Sequence, residues 1–130
     1  STPSVYPSQF HYISELLQNV DIRCGDYHDL LKEVTPGDFV YCDPPYWASG
    51  AHQYGSKWSW DDHISLKGRL ASLPSRWMTS NTGHPDIINL YEGYNHYPYH
   101  AKRQLNAKSK TQSWDEIAIT SHVCSSVDRP

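Results

Sequence analysis

The sequence predicts a three-layer α/β fold with a parallel sheet and an antiparallel edge, and three observations carry that expectation. Helical and strand-like periodicities alternate along most of the 130 residues, as they do where crossover helices join parallel strands. The run Asp38-Phe39-Val40-Tyr41-Cys42 is apolar on both faces, as a strand covered from two sides must be. Near the C-terminus two strand-like stretches flank a polar loop, which is the pattern of an antiparallel hairpin. The length suits one domain, since single domains commonly run ~100–150 residues.

The elements follow in order. Phe10, Ile13, Leu17 and Val20 recur at helical spacing, which predicts a helix over 8–19. Residues 20–24 (Val-Asp-Ile-Arg-Cys) alternate and predict a short strand, stopped by Gly25. Asp26 is placed to cap a short helix whose inner face is Leu30, Leu31 and Val34. Pro36-Gly37 is a turn, and the apolar strand 38–42 follows, here expected in the middle of the sheet. Residues 44–60 hold Tyr46, Trp47, Tyr54, Trp58 and Trp60 among Gly, Ser and Pro, a loop too long and ring-laden for a neutral connector. Asp61-Asp62 begins a helix carrying Ile64, Leu66, Leu70 and Leu73. Residues 76–80 read as a strand, 85–90 as a helix with Pro85 in its first turn, and 94–103 with 114–120 as the hairpin.

Composition narrows the classes. Only 38% of residues are apolar and the mean hydropathy is −0.70, lean for a sheet buried on both faces, so rings must supply much of the core. A net charge of −3 and a pI near 6.2 exclude a uniformly basic nucleic-acid binder. The total hides an asymmetry: residues 1–62 carry 3 basic and 9 acidic groups, residues 63–130 carry 8 and 5. Lys102, Arg103, Lys108 and Lys110 share one stretch without an acid, a loop that either touches phosphates or is a solvated hairpin tip. No apolar run approaches the ~18–20 residues of a membrane helix, so no spanning segment and no membrane partner are expected. Cys24, Cys42 and Cys124 have no paired spacing; the first two end apolar runs and read as buried thiols of a reducing, cytoplasmic setting. His96 and His100 have helical spacing for a metal pair, but Tyr-Pro-Tyr between them reads as extended, and no metal is expected.

In open α/β sheets, ligands lie beyond the carboxyl ends of the strands. After strand 38–42 stands Asp43-Pro44-Pro45-Tyr46. The prolines fix φ and remove N–H donors, so the backbone offers only carbonyls. An Asp carboxylate and a fixed proline carbonyl make two acceptors suited to a planar amino group, and Tyr46 supplies a stacking face for its ring.

That tetrapeptide resembles the catalytic motif of amino-group methyltransferases that use S-adenosylmethionine. Its flanks are similar to the DNA adenine methylase (Dam) family: Cys24-Gly25-Asp26-Tyr27 ahead of it, Ser80-Asn81-Thr82 through Pro85, Ile87 and Leu90-Tyr91 behind it, then Arg103, Asn106 and 115–120 at the hairpin. The resemblance spans about 20–122. It implies that Asp43 and the Pro44 carbonyl hold an adenine amino group, with Pro45 completing the rigid motif and Tyr46 stacking on the base. It implies that Asp26 and Tyr27, together with Asp43, face the methyl donor, S-adenosylmethionine. The partner implied is double-stranded DNA with the target adenine flipped out of the stack. Trp47, Trp58 and Trp60 either help to hold that base or pack beneath the loop, and Trp47 with Lys102, Arg103, Lys108 and Lys110 is the candidate DNA contact.

The resemblance also implies what the chain lacks. No Gly-rich donor loop occurs, because the seven glycines are isolated. The expectation is therefore one partial domain, 1–130, with 123–130 a loose tail: the C-terminal catalytic part of a Rossmann-like class I methyltransferase whose central strands are missing. Such a piece is a fragment or a split half, inactive unless a second chain or an N-terminal portion completes it. The other readings are an RNA or protein amino-group methyltransferase, or an inactive remnant that serves as a binding module.

Overall fold

A computed structural model describes residues 6–47, 58–100 and 115–125. It contains eight elements. Helix α1 spans Pro7–Leu17, α2 Tyr27–Leu31, α3 Trp60–Ala71 and α4 Pro85–Leu90. Strand β1 spans Phe39–Cys42, β2 Arg76–Thr82, β3 Asn95–Tyr99 and β4 Glu116–Thr120. The four strands form one sheet in the order β1-β2-β4-β3. β1 and β2 are parallel, whereas β4 runs antiparallel to β2 on one side and to β3 on the other. The expected mixed sheet is present, and the hairpin does more than cap its edge: β4 lies between β2 and β3.

The core lies on one face. Register puts Val40, Cys42, Trp77, Thr79, Ile117 and Ile119 on the same side of the sheet. Against that side pack Leu66 and Leu70 of α3, Ile87 of α4 and Tyr91, all buried. Rings contribute heavily, with Trp77 centred 4.9 Å from Tyr94 and 6.1 Å from Tyr91. Among the described residues no helix packs the opposite face, where Phe39 and Tyr41 are 55% and 58% exposed. Two layers are therefore observed where three were expected.

Local chemistry sets the helix ends. Ser59 and Asp62 cap α3 reciprocally: the Ser59 hydroxyl accepts from the Asp62 N–H, and the Asp62 carboxylate accepts from the Ser59 N–H at 2.8 Å. Asp26 caps α2 as expected, accepting from the His28 N–H at 2.9 Å. Pro7 opens α1.

Three expectations need correction. Residues 20–24 form no strand, because among the described residues no neighbouring ladder accepts their backbone groups. Strand β1 is an edge of the described sheet and not its middle. Cys24 is exposed, while Cys42 is half-buried and burial pushes its thiol up. Uncovered apolar groups cluster with these features: α1 buries none of its residues and leaves Phe10, Ile13 and Leu17 exposed, as are Val20, Ile22 and Leu30. His96 sits on β3, so its spacing from His100 is ~13 Å of extended chain and not one helical turn.

Gly83, just after β2, lies close against the residue that precedes β4. Its N–H donates to the Asp115 carbonyl at 2.6 Å, and a Cβ there would lie 2.9 Å from the same oxygen. Gly83→Ala is expected to cost about 1–3 kcal/mol through overpacking, read as a lower urea midpoint; an unchanged midpoint contradicts this contact.

Candidate active site

The site is built where β1 and β2 end side by side. Extending their register by one residue sets Asp43 level with Ser80. Ser80 is buried and donates its hydroxyl to Asp43 Oδ1 at 3.0 Å, while the Tyr41 hydroxyl lies 3.0 Å from Ser80 Oγ. Thr79 Oγ1 donates to the Cys42 carbonyl at 3.1 Å, closing the last rung behind the motif.

The chain beyond Asp43 is held by side chains that replace a ladder. The Trp47 N–H donates to Asn81 Oδ1 at 2.9 Å, and Thr82 Oγ1 donates to the Trp47 carbonyl at 2.6 Å. Asn81 Oδ1 also accepts from the Thr82 N–H at 2.8 Å, so one fully buried oxygen ties β2 to the loop. Tyr46 is fixed from the hairpin: its hydroxyl donates to Glu116 Oε2 at 3.2 Å, and the Tyr99 hydroxyl donates to the same oxygen at 2.8 Å. Partial burial and the Glu116 carboxylate hold the Tyr99 phenol above its ordinary range.

Trp47 joins an aromatic array. Trp47 is centred 4.9 Å from Trp60 and 5.8 Å from His63, and Trp58 lies 5.4 Å from His63. Tyr27 joins from the other side, 5.9 Å from Trp58 and stacked on His28 at 4.1 Å. His63 is buried among these rings, and burial pushes its imidazole below the usual value, which keeps it neutral at pH 7. The array connects the expected donor-side residue Tyr27 with the expected base-side residue Trp47. Asp26 sits next to Tyr27, with its Oδ1 holding both His28 N–H and His28 Nδ1.

Most expected site residues thus come together: Asp43, Pro44, Pro45, Tyr46 and Trp47 on one loop, Asp26 and Tyr27 across the array. The Trp47 ring is half-buried, with its Nε1 donating to Asp86 Oδ2 at 3.0 Å, so much of it is engaged in packing. Lys102, Arg103, Lys108 and Lys110 lie outside the described residues, as do Tyr54, Asn106 and Trp114. Among the described residues no group of three or more His, Cys, Asp or Glu is arranged to hold a metal ion. Sequence reading missed Tyr41, Asn81, Glu116 and Asp86 as supports of the motif; the alternation of Tyr41 with Asp43 was the one available signal, since both fall on the same strand face.

A family model for D12 class N6 adenine-specific DNA methyltransferases matches residues 2–105. The chain is 33% identical over 124 residues to the type II methyltransferase M1.LlaDCHI of Lactococcus lactis subsp. cremoris, covering 85% of this chain and 43% of that protein. It is 36% identical over 117 residues to the type II methyltransferase M.MjaIII of Methanocaldococcus jannaschii, covering 82% and 40%. It is 27% identical over 118 residues to the Retron Ec67 DNA adenine methylase of Escherichia coli, covering 83% and 39%. The chain spans about two fifths of the length of these curated relatives.

Proposed function

This chain belongs to the D12 class N6 adenine-specific DNA methyltransferases, and from that membership we propose that it is the C-terminal catalytic part of an enzyme methylating the exocyclic amino group of adenine in DNA. The observation that carries the reading is the Asp43–Tyr46 motif at the carboxyl end of β1, held at both ends by three consecutive residues of β2: Ser80 on Asp43, and Asn81 and Thr82 on Trp47, the residue that follows the motif.

The adenine amino lone pair is delocalised into its ring and is a weak nucleophile. The Asp43 carboxylate and the Pro44 carbonyl accept its two hydrogens, turn them from the ring plane and aim the lone pair outward. Tyr46, its hydroxyl anchored on Glu116, offers the face on which the flipped base stacks. The nitrogen would gain the methyl carbon as the donor's carbon–sulfur bond breaks, its electron pair remaining on a neutral thioether, and would give up one proton, for which the Asp43 carboxylate is the adjacent base.

The methyl donor implied by the family is S-adenosylmethionine, which supplies an electrophilic sulfonium methyl. The residues present fit one end of it: Tyr27 offers a ring edge at the aromatic array, and Asp26 a carboxylate beside it. Nothing in the sequence resembles a Gly-rich loop for the other end. The reading therefore includes a partial Rossmann-like sheet in which two further strands occupy the space between residues 20–24 and β1, supplied by an N-terminal portion or a second chain. The exposed edge of β1, the unpaired segment 20–24 and the bare apolar face of α1 support it. In this reading 1–130 is one partial domain with 123–130 as its tail.

Isothermal titration of S-adenosylmethionine into this chain alone is expected to show no micromolar binding. Supplied with the family's N-terminal portion, the same chain is expected to methylate adenine in duplex DNA and not RNA oligonucleotides or glutamine peptides. Micromolar binding by the chain alone overturns the partial-domain reading, and transfer to RNA or peptide in place of DNA overturns the substrate.

A further inference from the structure

We propose that Tyr41 and Ser80 are positioning residues that form a one-way hydroxyl relay onto Asp43, setting which carboxylate oxygen meets the substrate amino group; this rests on the reading of Asp43 as the amino-group acceptor. Tyr41 and Asp43 are two residues apart at the end of one strand, so their side chains share a face. Ser80 stands beside Asp43 on the neighbouring parallel strand. The three polar atoms lie 3.0 Å apart at both steps.

The direction of the relay follows from proton counting. An ionised carboxylate can only accept, so the bond between Ser80 and Asp43 uses the single serine proton. Ser80 Oγ is then an acceptor towards Tyr41, and the phenol must donate. The order is Tyr41 O–H to Ser80 Oγ, then Ser80 O–H to Asp43 Oδ1. A hydroxyl that accepts a hydrogen bond becomes a better donor, so the outer bond strengthens the inner one.

The consequence is geometric. Ser80 is 3% exposed and held in the middle of the sheet, whereas Asp43 lies exposed at a strand end. The buried partner fixes the rotation of the carboxylate about its last torsion and occupies Oδ1, which leaves Oδ2 to meet the substrate amino group. The Tyr41 hydroxyl meets Ser80, and in this proposal it acts on Asp43 through that serine.

The test uses the complete enzyme, this chain with the family's N-terminal portion, methylating duplex DNA. Ser80→Ala is expected to lower kcat about 10–100-fold, the scale of a misplaced reacting group, with KM for DNA and donor within about twofold. Tyr41→Phe keeps the ring and is expected to lower kcat about 3–10-fold. The double variant is expected to match Ser80→Ala within about twofold, because the outer bond has no route except Ser80. Ser80→Thr, which restores a hydroxyl, is expected to recover most of the loss. Additive effects in the double variant, a loss confined to KM, or no recovery with threonine each overturn the relay. Should Ser80→Ala not fold, the solvent-exposed Tyr41→Phe decides alone, and an unchanged kcat overturns the proposal. An inactive Asp43→Ala beside fully active Tyr41 and Ser80 variants removes the relay and leaves the function standing. A fully active Asp43→Ala removes both.

Discussion

Asp43→Ala is expected to lower methyl transfer by the completed enzyme about 10²–10³-fold, roughly 2.7–4 kcal/mol of transition-state stabilisation. An aromatic amine becomes nucleophilic only as its lone pair leaves the ring, and charge then grows on its hydrogens. A carboxylate already oriented by Ser80 meets that charge without reorganising. Alanine removes the acceptor and leaves the Ser80 hydroxyl aimed at empty space. Asp43→Asn is the graded case. Its amide can donate Nδ2–H to Ser80 and present Oδ1 to the base, which restores one acceptor and loses the negative charge, so its rate is expected between alanine and wild type. Single-turnover transfer of a labelled methyl group to DNA reads both. An alanine variant within about threefold of wild type contradicts the assigned role, since even one modest hydrogen bond is worth about that much. The DNA complex itself should form in both variants, because phosphate contacts provide most of such affinity.

What was legible in the sequence depended on how local the signal was. The motif announced itself because its chemistry is contained in four consecutive residues following an apolar strand. Strand and helix identity came through wherever one face was buried, as in 60–71 with Leu66 and Leu70, or 76–82 with Trp77. The alternating segment 20–24 has a strand's pattern without a strand, because pairing depends on a neighbour and not on the segment. Leu30 was expected on the inner face of α2 and is exposed for a related reason, since no element described here lies over it. The supports of the site were the least visible. Ser80 reaches Asp43 across 37 residues, Asn81 reaches Trp47 across 34, and Glu116 reaches Tyr46 across 70. Each pairing exists only once the parallel register of β1 on β2 and the antiparallel insertion of β4 are known. A hydrophobic pattern specifies which face a residue joins and leaves open which residue stands opposite.

Replacing Asn81 with leucine, which keeps the branched outline but has a bulkier apolar tip, is expected to destabilise the described fold by about 2–6 kcal/mol, a large share of a typical ~5–15 kcal/mol total. Asn81 is 2% exposed, and its Oδ1 accepts from two backbone donors, the N–H groups of Trp47 and Thr82. Leucine fills the space and leaves both donors without a partner in a site closed to water, at about 1–3 kcal/mol each. Thr82→Val removes the other half of the grip, the donor to the Trp47 carbonyl. That loss should be smaller, about 1 kcal/mol, since a deleted donor strands only an acceptor. Urea unfolding gives the total in each variant, and amide hydrogen exchange locates it. The Trp47 N–H is expected to exchange far faster in the leucine variant while Leu70 and Ile119 stay protected. The unequal losses would mean that the segment after β1 is held mainly by one buried amide oxygen; equal losses would mean that the grip is shared. Either way, loosening at Trp47 reaches Tyr46 through one peptide bond, so stability and base stacking should fall together in Asn81→Leu. In Ser80→Ala, by contrast, the rate should fall while the Trp47 N–H stays protected.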